Sequence, residues 1–123
     1  MINREVLIDV EGKIRKIKRY IEKIEEIIKK IKEEREWIKS FEKMYYENYI
    51  DKKEYERRIK IIEKRIENLE SKKYSYLYDL INLINETQKL IKFLNEIEEK
   101  SEEEKKYIEN YQYRLNESIN NLY

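Results

Sequence analysis

Trp37, Phe41 and Met44 follow one another four and three residues apart, so a helix carrying them presents all three along one line. Tyr45 and Tyr55 flank the same stretch, and Ile61 falls at the level of Trp37 if the chain folds back between them. The chemistry such a group offers is recognition, because Trp and Tyr bury large, rigid surfaces and are typical anchors of protein interfaces. Partner binding is therefore expected at Trp37, Phe41, Met44, Tyr45, Tyr55 and Ile61. The plainer use of the same side chains is to plug the end of a helical hairpin or to pack within a dimer.

A second chemistry is suggested by two basic groups: Lys13, Arg15, Lys16, Lys18 and Arg19 in one, and Lys52, Lys53, Arg57, Arg58 and Lys60 in the other. Cations grouped in this way bind phosphate backbones, and tyrosines nearby would stack on unpaired bases. Lys13, Arg15, Lys16, Lys18, Arg19, Arg57 and Arg58 are the candidate nucleic-acid contacts. Glu54, Glu56 and Glu63 interrupt the second group, and 28 basic residues against 27 acidic ones leave a net charge of only +1. A chain so balanced has no global field drawing it to nucleic acid or to an anionic membrane.

Catalytic chemistry lacks its usual materials. The sequence has no histidine and no cysteine, so the commonest general base, thiol nucleophiles, disulfides and thiolate or imidazole metal sites are all excluded. One glycine cannot build a phosphate-cradling loop. Glutamates abound, but at this density they are solvated helix surface rather than an acid/base couple. No enzymatic activity, cofactor, metal or small-molecule substrate is expected.

The elements that must position these residues are helices. In 123 residues there is no proline and no alanine, while 45% are charged and 40% hydrophobic. That composition suits long amphipathic helices, and its Ile, Lys, Asn and Tyr bias is that of an AT-rich genome. Leu7, Val10, Ile14, Ile17, Ile21, Ile24, Ile28, Ile31, Arg35 and Ile38 repeat at spacings of three and four, which is a heptad seam. A second seam runs through Ile59, Ile62, Ile66, Leu69, Lys73, Tyr76, Leu80, Leu83, Thr87, Leu90, Leu94 and Ile97.

Between the seams, Asp51 is an N-cap, with Glu54 placed to complete a capping box and Ile50 and Tyr55 placed as a hydrophobic staple. A helix starting there requires another to stop just before it, so the chain turns at "ENYI". Ser101 followed by Glu102, Glu103 and Glu104 signals a third start. Tyr74, Leu77, Ile81, Ile84 and Ile91 form an additional stripe for that helix to cover, and the tyrosines at 74, 76, 78, 107, 111 and 113 are expected to pack at the same junction. The rival reading, one helix through 51–122, takes its force from Glu96, Glu98 and Glu99, acids at what would be a helix C-terminus.

The expectation is thus an all-α fold: a long antiparallel coiled-coil hairpin with a shorter third helix packed at the end away from the turn. Residues 1–123 form a single elongated helical domain, with helices over about 3–47, 51–98 and 101–122. An arm of only two helices has little area to bury, so a homodimer or insertion into a larger complex is expected. No apolar run is long enough for a membrane span or a signal peptide, and a cytoplasmic address is the default. Functionally this reads as a non-catalytic coiled-coil scaffold or adaptor acting through self-association and protein–protein binding at the hairpin tip and arm. The alternative is a nucleic-acid-associated factor, or a small helical inhibitor or regulator of a nucleoprotein complex encoded by a mobile element.

Overall fold

The structure, a computed structural model, describes residues 2–122. They form three α-helices and no strand: α1 (Arg4–Tyr46), α2 (Lys52–Glu96) and α3 (Glu102–Asn120). Each helix begins and ends within two residues of the expected bounds, and "EVLIDV" belongs to α1. α1 and α2 pack closely as a helical hairpin. Beside the turn their direction is antiparallel: Glu34 meets Arg65 and Tyr45 stacks on Tyr55, so advancing along one helix retreats along the other.

The reversal needs neither glycine nor proline. Asn48 adopts φ 64°, its amide donates to the Tyr45 carbonyl at 3.1 Å, and the Tyr49 amide donates to the Met44 carbonyl at 2.9 Å. This pair of bonds is a Schellman termination with asparagine in the left-handed position that glycine usually fills. Asp51 then opens α2, its Oδ1 accepting from the Glu54 amide at 2.8 Å. Glu54 itself does not complete the expected box, because both its carboxylate oxygens are held by Arg57 and Arg58.

The second break, between Glu96 and Glu102, rules out one helix through 51–122. Lys100 resolves the objection raised by the acids at 96, 98 and 99: its Nζ donates to the carbonyls of Leu94 at 3.4 Å and Asn95 at 2.8 Å, supplying cation and donor where a helix end needs both. Ser101 caps α3 in a full capping box with Glu104. Glu104 also accepts from the Ile2 amide at 2.9 Å, and these backbone bonds draw its pKa below the usual carboxylate range.

The chain divides into two compact units, Met1–Glu22 with Leu77–Tyr123, and Lys23–Tyr76. In the first, Val10, Ile14, Ile17, Leu80, Leu83, Ile84, Ile91 and Leu94 form a core that α3 completes with Ile108, Tyr111 and Leu115. With the Ile2–Glu104 bond, two further polar contacts fix α3 there, the Tyr111 hydroxyl donating to the Leu7 carbonyl at 3.3 Å and Arg114 pairing with Glu11. The Arg114 hydrogen bond, outweighing partial burial, holds the Glu11 carboxyl below its ordinary pKa.

The second unit is a two-helix hairpin, and here the seam departs from the expected phase. Ile27 is buried while Ile28 is half exposed, and Arg35 lies in solvent, paired with Glu70 at 3.4 Å. Positions 28 and 35 are seven apart and so leave the interface together, and positions 27 and 34 enter together. The gain is a hydrated Arg35 guanidinium; the cost is Glu34, whose Oε2 is cut off from water without a hydrogen bond, its nearest cation being Arg65 at 3.9 Å.

The additional stripe on α2 is also narrower than expected. Ile84 and Ile91 are buried, but Tyr74 and Ile81 are exposed, because they lie further round the helix from the seam than the positions a neighbour covers. Of the tyrosines expected to pack at that junction, only Tyr111 is buried; Tyr74, Tyr78, Tyr107 and Tyr113 face solvent.

Candidate recognition site

The six residues expected to bind a partner all belong to the Lys23–Tyr76 unit, where they separate into two groups. Tyr45 and Tyr55 lie across the hairpin end, their rings stacked at 4.9 Å and 17°. Burial, followed by the nearby Glu42 charge, pushes the Tyr55 hydroxyl pKa upward. Both are half-buried and stacked against each other beside the turn, where they hold α1 and α2 together, and neither lines the groove described next. Met44 is 40% exposed and lies outside it as well.

Trp37, Phe41 and Ile61 form the other group. Trp37 stacks on Phe41 with centroids 6.1 Å apart, yet remains 58% exposed, and Ile61 across the hairpin is 43% exposed. Together with Ile62 they floor an open groove of about 430 Å³ whose remaining lining is Arg57, Arg58 and Arg65. Every charged side chain lining it is an arginine. The Arg58 guanidinium lies over the Phe41 ring at 4.9 Å, a cation–π contact that fixes one wall.

Glu54 organises that wall. It accepts from Arg57 Nε and Nη2 at 3.0 and 2.8 Å and from Arg58 Nε at 2.6 Å, so one carboxylate orients two guanidinium groups. The Arg57 hydrogen bonds, then those of Arg58, bring the Glu54 pKa from the usual 4.5 to about 2. Among the described residues Arg58 Nη1 and Nη2 and Arg57 Nη1 donate no hydrogen bond, and Arg65 approaches Glu34 only at 3.9 Å, beyond hydrogen-bonding distance. Arg65 and Ile62 were not among the expected binding residues. The signal was available: Arg58, Ile61, Ile62 and Arg65 follow the helical spacing that places them on one side of α2.

The candidate nucleic-acid contacts are mostly occupied. Lys13 pairs with Glu86 at 3.2 Å and approaches Asp9 at 3.9 Å, Arg15 pairs with Glu11 at 3.1 Å, and Arg57 and Arg58 share Glu54. Among the described residues, Lys16, Lys18 and Arg19 are exposed and take part in no ion pair within reach. No group of three metal-ligating side chains converges among the described residues, and no helix there is long and apolar enough to cross a membrane.

Compared with known protein families, curated proteins and solved structures, the chain matches none.

Proposed function

We propose that this chain is a non-catalytic coiled-coil scaffold or adaptor that works by binding protein, a second copy of itself or another chain, through the tip and arm of the α1–α2 hairpin. The observation that carries the reading is the Trp37–Phe41–Ile61 groove, an apolar surface left open on a unit with little core of its own. A tryptophan more than half exposed is costly surface, since burying apolar area is worth about 25 cal/mol per Å². Seating a partner there recovers that energy and places the aromatic anchors at the centre of the contact.

Replacing Trp37 and Phe41 together by serine tests the reading, with molar mass in solution and capture of partner proteins as the measurements. Helical content should persist, because the fully buried seam residues are untouched, while assembly or capture is lost. Unchanged mass and unchanged capture in a folded double variant would reject it.

Nucleic-acid association is the second reading, and Lys16, Lys18 and Arg19 are the residues that support it. Their neighbours' engagement with carboxylates and the net charge of +1 weigh on the other side. Retention on heparin or DNA at low salt, falling steeply as salt rises, would favour it.

A further inference from the structure

We infer that the groove of the Lys23–Tyr76 unit takes an acidic amphipathic segment of a partner protein, with an apolar side chain on Trp37, Phe41 and Ile61 and flanking carboxylates on Arg57, Arg58 and Arg65. This rests on the reading of the arm as a protein-binding surface and adds the chemistry of what binds.

The charge of the lining decides the occupant. Three guanidinium groups border the apolar floor; Glu54 is shared by Arg57 and Arg58, while Arg65 has only Glu34 nearby, at 3.9 Å and without a hydrogen bond, so the three groups keep donors to offer. Covering the floor with a purely apolar or basic segment would take these arginines out of water with donors unmet, which costs more than the contact returns. Carboxylates match the planar donor edge of arginine, and Glu54 already displays that match inside the protein at 2.6–3.0 Å. A second copy docking the same face about a two-fold axis would bring arginine against arginine, so the symmetric self-contact is disfavoured at this groove.

Trp37 is the only tryptophan in the chain, so its fluorescence reports the groove directly. Four probes separate the outcomes: a helical peptide with leucines at i, i+4 and i+7 flanked by glutamates; the same peptide with lysine for glutamate; the glutamate peptide with serine for leucine; and oligothymidylate. The first should shift Trp37 emission to the blue in a saturable, salt-weakened manner, and the others should not. The triple variant R57Q/R58Q/R65Q, with helicity checked by circular dichroism, should bind it about tenfold or more weakly, and I61S should weaken it while leaving the arginines in place.

No response to the glutamate–leucine peptide at millimolar concentration overturns the inference. So does an equal response to the lysine peptide, a response to oligothymidylate alone, or a shift produced simply by concentrating the protein, which would seat a second copy in the groove. If the peptide fails while the Trp37/Phe41 serine variant still loses capture, the acidic-segment inference falls and the arm-binding reading stands. If neither responds, both fall.

Discussion

Asn48 carries the hairpin turn in a conformation that costs most residues roughly 1–2 kcal/mol, a cost asparagine lowers and glycine avoids. Asn48→Gly should leave stability unchanged or raise it slightly, and Asn48→Val, β-branched at positive φ, should lower it by about 1–2 kcal/mol in urea denaturation. Glu34 is the opposite case, a side chain whose replacement should help. Its Oε2 is shut off from water with no hydrogen bond, a situation worth about 1–3 kcal/mol of lost stability. Glu34→Leu should therefore raise the unfolding midpoint by a comparable free energy, with Arg65 exposed enough to rehydrate. Thr87, wholly buried, needs no such correction because its hydroxyl donates to the Leu83 carbonyl at 2.7 Å.

At the scale of helices, the ends are held by a few charged side chains, and pH acts on them. Glu54 has its pKa lowered to about 2, and Glu11 and Glu104 are displaced in the same direction. A carboxyl with a lower pKa folded than unfolded adds stability that is complete above about 4.5 and disappears as pH falls toward the folded value. Acid titration should thus loosen the α2 start at Glu54 and the α3 anchorage at Glu11 and Glu104. Carboxyl NMR titration should show Glu54 protonating at about 2 rather than at its ordinary 4.5, and Glu54→Gln should remove its share of the pH dependence. These helix starts were legible in the sequence because capping chemistry is local: Asp51 and Ser101 announce themselves by residue type and spacing. The α1 stop was legible only through the following start, since Asn48 is a less specific signal than glycine. Lys100 was not legible at all, because a lysine caps carbonyls only after the chain has bent to bring it back. Nor could spacing choose between Ile27 and Ile28: adjacent isoleucines offer the interface equal hydrocarbon, and the choice depends on whether Glu34 or Arg35 enters with them. The groove was half legible. The aromatic line on α1 was evident and so was the spacing of Arg58, Ile61, Ile62 and Arg65 on α2, but that the two lines border one groove follows only from the pairing of the helices.

Over the whole molecule, the two units differ in how much core each possesses. The unit containing α3 buries residues from three helices, whereas in Lys23–Tyr76 the buried hydrophobic residues are Ile24, Ile27, Ile31 and Ile62, none of them fully sealed. Hydrogen exchange should accordingly be fastest across 23–76, with protection surviving longest around Ile17, Leu80, Leu94 and Leu115. A partner bound at the arm should slow exchange there and raise apparent stability with its concentration. Lys100 bears on how the whole protein is handled. Its amine closes α2 by donating to two main-chain carbonyls. Acylating dyes and acylating cross-linkers that reach it remove the charge and leave a single N–H, so they would weaken the corner they are meant to report on. Reductive methylation keeps the charge, and an introduced thiol, unique in a chain without cysteine, offers a handle that leaves the corner whole.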